Sequence, residues 1–326
     1  MTGPAASPAL RARLDRLLAA NAIFVALLLV WLVGAAGSEA FVTPGYLFNV
    51  VRQIAPVGIA AIGVTYVMIL GGVDLSIGAV ISLTAVFCAV QMDGDAANTL
   101  PAILLTCLVG TAIGAVNGAL IAWSRVTPFI LTLGMAVAVY GLTQIYSGGT
   151  ARGTVAPGFR DLANTRLEGL VPVLAIVFLA LAGIGLAIQK MTTFGRQLFL
   201  IGSNRQAAIL AGLPVRRTTV IAYALAGLFG ALGGIALLAR SGVSSTSAGQ
   251  GLEFQVLAAI VLGGTTFEGG RGGIAGTVAG VLVLVMAFNL VNIVGLDYHL
   301  QLVVMGAIII LASALYGQLQ ARTGRA

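Results

Sequence analysis

From Ile54 to Met92 the chain reads IAPVGIAAIGVTYVMILGGVDLSIGAVISLTAVFCAVQM, a stretch with a single charged residue, Asp74. The segment Gly71-Gly72-Val73-Asp74-Leu75-Ser76-Ile77-Gly78 breaks what would otherwise be one apolar run. It leaves pieces at roughly 54 to 70 and 76 to 92, each near the length that crosses hydrocarbon at about 1.5 Å of rise per residue. Outward from this pair, further apolar runs lie at roughly 17 to 37, 101 to 123, 128 to 146, 170 to 188, 220 to 238, 252 to 264, 273 to 294 and 300 to 316. The expected fold is an all-α membrane protein, a polytopic bundle of about ten transmembrane helices. Its short segments, 76 to 92 and 252 to 264, flank glycine pairs and are expected to be broken helices.

Composition agrees. Of the 326 residues, 59% are hydrophobic and 8% are charged, against about a quarter charged in soluble domains. The net charge of +7 is scattered singly between apolar runs rather than lining one face, which argues against nucleic acid as a partner. Cys88 and Cys107 have neither the number nor the spacing for a disulfide framework or a zinc site, so no metal is expected. Arg11, Arg13 and Arg16 precede an apolar run longer than a signal-peptide core, so the first helix is expected to be retained.

Placing the N-terminus inside puts twelve basic residues in the inner loops and tails, including Arg125, Lys190, Arg196, Arg205, Arg216, Arg217 and Arg271. It leaves five outside: Arg52, Arg152, Arg160, Arg166 and Arg240. That bias places both termini in the cytoplasm. The implied organisation is a tail at 1 to 16, a transmembrane domain at 17 to 316 with a cytoplasmic loop at 189 to 219, and a tail at 317 to 326. The glycine series Gly110, Gly114, Gly118 and Gly227, Gly230, Gly233, Gly234 lets helices approach closely, which in lipid supplies much of the packing.

Four segments rise above generic membrane composition. In the first, Asp74 is a costly carboxylate at or within hydrocarbon. Either it N-caps a helix beginning near Leu75, or it is a pathway or hinge group together with Gly71, Gly72 and Ser76. The second runs from Gly263 to Gly273, with six glycines in eleven residues, too many for a stable helix. Gly263 and Gly264 then join the candidate pathway or hinge residues, Glu268 and Arg271 are placed to pair, and the likeness to the first segment hints weakly at an internal repeat. The third lies in the cytoplasmic loop. Ser203 or Asn204 can cap a short helix through Ala211, Gly212 suits its C′ position and Pro214 prevents continuation. A two-turn helix is unstable alone and must dock on its own bundle or on a cytoplasmic partner. The fourth, Ala239 to Glu253, is polar and rich in Ser and Gly, as connecting loops are.

In these segments the chain resembles the ribose-type permeases of bacterial ATP-binding-cassette importers, from about Phe41 to Leu311. The signatures are Gly71 to Gly78, Thr127-Pro128-Phe129-Ile130-Leu131-Thr132-Leu133-Gly134, Phe194-Gly195-Arg196, Gly202 with Asn204 and Ala207-Ala208 before Gly212, and Gly263-Gly264-Thr265. The resemblance implies an inner-membrane permease dimer with a second copy of the chain, a cytoplasmic ATPase, and an extracytoplasmic sugar-binding protein. It also implies that Arg196, Gly202, Asn204, Arg205, Ala207, Ala208 and Gly212 belong to a coupling element seated on the ATPase. Two places depart from the family: Tyr140 stands before Gly141 where Arg is frequent, and Tyr298-His299-Leu300-Gln301 replaces a Trp-Gln pair.

No P-loop of the form GxxxxGK[ST] occurs, and Lys190 is the chain's only lysine, so no catalytic residue, nucleotide site or cofactor is expected here. The leading expectation is a sugar-importer permease working by alternating access. A branched-chain amino acid permease is the nearest alternative. An ion-coupled secondary transporter would be expected to carry more intramembrane charge than Asp74 provides. A membrane enzyme is disfavoured because His299 has no acidic or cysteine partner at ligand spacing.

Overall fold

The computed structural model describes residues 22–124 and 126–293, with Val303, Gly306 and Ala307. These residues form twelve α-helices: α1 Ala22–Gly37, α2 Pro44–Ile69, α3 Ile77–Met92, α4 Thr99–Trp123, α5 Pro128–Ser147, α6 Phe159–Asn164, α7 Val173–Met191, α8 Thr193–Ser203, α9 Arg205–Leu210, α10 Val215–Ser241, α11 Leu252–Leu262 and α12 Ile274–Ile293. Strands Arg166–Leu167 and Val171–Pro172 pair antiparallel between α6 and α7. Six of the helices, α2, α4, α5, α7, α10 and α12, are long and apolar enough to cross a membrane; α1, α3 and α11 are apolar but shorter. The chain is an all-α membrane protein. Apart from Val303, Gly306 and Ala307, the expected run at 300 to 316 lies outside the described residues, as do the two tails and His299.

Local chemistry sets several of these ends. Thr43 caps α2 by accepting the Tyr46 amide, with Pro44 at the first helical position, where its missing N–H costs nothing. Pro128 opens α5 in the same way. The loop expected at 189 to 219 is more ordered than its composition indicates. It holds the eleven-residue α8 as well as the expected short helix, and α10 already begins at Val215.

Burial separates a central layer from a lipid-facing one. In α2 every residue from Ile54 to Ile69 is buried, the mark of a helix enclosed on all sides. α10 packs against α2, α3 and α4 and forms the middle of the bundle with them. On α4 the sorting is reversed from that of a soluble protein: Ala102, Thr106, Gly110, Gly114 and Gly118 face inward at four-residue intervals, while Leu100, Leu104 and Leu108 face out. Lipid accepts leucine as readily as a core does, so close backbone packing takes the small residues.

The glycine series act as expected, at particular contacts. A Cβ on Gly227 would overlap the Gly110 carbonyl oxygen, and one on Gly114 would overlap that of Tyr223. The pair α11 and α12 closes in the same way, Gly276 against Gly263 and Gly280 against Ala259. Gly183, by contrast, has open space around its Cβ position. Gly227→Ala is therefore expected to overpack the α4–α10 seam at a cost of about 1–3 kcal/mol, and Gly183→Ala to change stability by less than about 0.5 kcal/mol. Thermal unfolding in detergent checks this, and equal midpoints for the two variants would contradict it.

Candidate functional site

Helices α2 and α11 end identically. Gly71 and Gly264 occupy the left-handed C′ position, with φ of 84° and 86°. At the end of α2 the amides of Gly71 and Gly72 donate to Met68 and Val67 carbonyls. At the end of α11 those of Gly264 and Thr265 donate to Val261 and Ile260. This is the paired closure of a Schellman motif. The weak repeat seen in sequence thus has a structural counterpart, in a register one residue away from the simple matching of glycine pairs. Only one glycine of each pair adopts positive φ; Gly72 is small for another reason, since a Cβ there would stand 2.5 Å from the Tyr223 hydroxyl oxygen.

The two breaks meet. The Gly270 amide donates to the Ile69 carbonyl at 2.8 Å, so the second break satisfies a free carbonyl at the end of α2. The end of α8 lies on the same joint: a Cβ on Gly202 would overlap the Ile69 oxygen and stand 2.6 Å from the Gly270 nitrogen. Glu268 and Arg271, expected to pair, are both exposed, and no ion pair joins them.

Deeper along the first break lies a buried polar net. Asp74 Oδ1 accepts from the Ser76 amide at 2.9 Å and from the Ser76 hydroxyl at 2.6 Å. Asn117 Nδ2 donates to Ser76 Oγ at 2.9 Å. Thr132 Oγ accepts the Leu75 amide, and the Tyr223 hydroxyl donates to the Val73 carbonyl. The capping expectation for Asp74 needs correction. The helix begins at Ile77, not Leu75, and Ser76, which precedes it, makes no side-chain cap bond. Asp74 instead fixes the turn that leads into the helix, in the manner of an Asx turn.

On the exposed side, Asn204 Oδ1 accepts the Ala207 amide and starts α9, while Gly212, at φ 74°, closes it with a third Schellman pair. Arg196, Arg205 and Ala207 are exposed. Ala208 is only 4% exposed and faces the bundle, whereas Leu210 is 88% exposed. Hence α9 docks on its own protein through Ala208 and still presents an apolar side outward. The Gly195 of Phe194-Gly195-Arg196 has a steric role: any Cβ would overlap the Gln189 carbonyl oxygen where α7 turns into α8.

With this geometry in place, a family profile described as the permease component of branched-chain amino acid transport systems matches residues 46–313. The chain belongs to that permease family. The ribose import permease protein of Bacillus subtilis is 36% identical to it over 292 residues, 89% of this chain and 90% of that protein. The Escherichia coli ribose import permease protein is 35% identical over 298 residues, 88% and 90% of the two chains. The galactose/methyl galactoside import permease protein of Escherichia coli is 34% identical over 316 residues, 90% and 92% of the two. No solved structure matches the chain.

In this permease, then, the joint gathers Gly71, Gly72, Gly202 and the segment from Gly264 to Gly270. Asp74 and Ser76 lie in the net behind it, Gly263 packs into the α12 seam, and Arg196, Arg205 and Gly212 lie on the exposed rim. Sequence reasoning missed Asn117, Tyr223 and Gln189, whose Oε1 accepts the Ile274 amide at the start of α12. The available signal was a lone amide or phenol inside or at the edge of an apolar run. Asp74→Asn keeps the acceptor oxygen and is expected to melt like the parent. Asp74→Leu strands the buried Ser76 amide and hydroxyl, a loss of about 1–3 kcal/mol. Equal thermal midpoints for the Leu variant and the parent would contradict this assignment.

Proposed function

We propose that this permease is the membrane-spanning subunit of an ATP-binding-cassette sugar importer in a bacterial inner membrane. The observation that carries the reading is near full-length identity of 34–36% to proteins named for ribose and galactose import. In this reading a binding protein delivers the sugar from outside and two copies of the chain enclose the path. A separate ATPase supplies the energy, since the sequence has no P-loop. Ten spans with both termini in the cytoplasm complete the arrangement.

The exposed side of α9 supports the coupling role. Ile209 is 55% and Leu210 88% exposed, flanked by Arg196, Arg205, Arg216 and Arg217. An apolar tip with a basic surround is suited to insertion into a groove on a soluble partner. Movement there would reach the bundle through Gly202, which touches both helix breaks. Gly71, Gly72, Asp74, Ser76, Gly263 and Gly264 then serve as the hinge.

A branched-chain amino acid substrate is the second reading, and the family's own description favours it. One experiment separates the possibilities. Proteoliposomes holding the permease, its ATPase and its binding protein are expected to accumulate ribose or galactose only with ATP. The permease alone should accumulate neither sugar under a proton gradient. Leu210→Glu should insert normally but lose ATPase co-purification and uptake. Accumulation by the permease alone would overturn the importer reading, and accumulation of leucine with neither sugar would move the substrate class.

A further inference from the structure

The polar stretch before α11 does more than connect. After α10 ends, the chain turns back into the bundle, where the Gly249 amide donates to Ser82 Oγ on α3 at 2.8 Å. Gly249 lies so close to the Gly78 carbonyl that no Cβ would fit. α11 therefore starts inside the bundle, and Glu253 in its first turn stands directly over Gly78. From Glu253 to the helix break at Gly263 is ten residues, about 15 Å along the helix. Tyr140, facing Glu253 and Ser82 from α5, stands twelve residues from Pro128, about 18 Å. Both groups are thus near the middle of a hydrocarbon core of about 30 Å.

Both carry an unmet polar atom. Glu253 Oε2 and the Tyr140 hydroxyl oxygen are buried without a hydrogen-bond partner, although the Glu253 carboxylate also faces the backbone amides of Gly251 and Glu253, and Ser82 faces the phenol. No lysine or arginine occurs on α3, α5 or α11, so no cation on these helices serves the carboxylate. A buried acceptor and a buried phenol left unsatisfied are costly. The arrangement makes sense if another state of the same protein, with the path open, fills the gap with a ligand.

The chemistry narrows that ligand. A carboxylate and a phenol receive and give hydrogen bonds to hydroxyl groups, and the tyrosine ring offers an apolar face to C–H groups. A zwitterionic amino acid would pair its ammonium with Glu253, but its carboxylate would find no basic residue on these three helices. We infer that Glu253 and Tyr140 form a hydroxyl-binding station midway along the translocation path, closed in this conformation and opened to a neutral polyhydroxylated substrate during transport. This rests on the sugar-importer reading and adds to it the residues that touch the sugar in transit.

The test uses the complete transporter in proteoliposomes at saturating binding protein, with D-ribose, D-galactose and their monodeoxy analogues as probes. Glu253→Gln and Tyr140→Phe, which preserve shape, are expected to assemble and to hydrolyse ATP within about twofold of the parent. Uptake should fall about tenfold or more, the scale of losing a hydrogen bond to a charged group. The parent should also transport at least one deoxy analogue worse than the full sugar, and the variants should lose that discrimination. Unchanged uptake would overturn the inference. So would loss of assembly or ATPase activity alongside uptake, which marks a packing or dimer-contact role, and so would retained discrimination in both variants. A parent complex that accumulates neither sugar would instead bring down the importer reading itself, a result visible without any variant.

Discussion

The hydrogen bond from the Gly270 amide to the Ile69 carbonyl is the contact on which this end of the bundle depends. A helix that stops inside a membrane protein leaves carbonyls that water cannot reach, and each must find a donor within the protein. For α2 the Gly71 and Gly72 amides serve two of them, and the second break serves the third. The breaks are therefore obliged to meet, and the space between them admits only a residue without a side chain. Gly202 fills that position, so α8 touches the membrane helices at their least regular point.

The same shortage of water explains the rest of the architecture. With no hydrophobic drive between helices in lipid, α4 lays its small residues on α10 and turns its leucines outward. Several polar side chains inside the bundle serve irregular backbone: Thr132 and Tyr223 the non-helical run through Val73 and Leu75, and Gln189 the start of α12. Asp74 belongs to this group, since the two bonds to its Oδ1 both come from Ser76. Glu253 and Tyr140 stand apart, because Glu253 Oε2 and the Tyr140 hydroxyl have no hydrogen-bond partner in the closed bundle.

Much of this was legible in the sequence. Apolar run length located nine of the helices, and the residues of α9 foretold its caps, because Asn204, Gly212 and Pro214 act on their immediate neighbours. Contacts between distant segments were not legible. Nothing local to Gly195 or Gly202 indicates a carbonyl from elsewhere pressed against it, and Ala208 gives no sign of facing the bundle. The run from Ala239 to Glu253 has the composition of an ordinary loop, and only the seat of Gly249 on α3 reveals that it turns inward. α8 was hidden because Thr192 and Gly195 resemble turn residues, whereas they cap and fit a tight helix-to-helix junction.

In the proposed importer, motion of α8 and α9 enters the membrane bundle at Gly202. Uptake and ATP hydrolysis by the complete transporter carrying Gly202→Ala test it most directly, with membrane insertion and ATPase association measured alongside. The complex is expected to assemble and hydrolyse ATP while substrate accumulation is lost, because the added methyl group pushes α8 away from Ile69 and Gly270. A Gly202→Ala complex that assembles and accumulates substrate at the parent rate would contradict it.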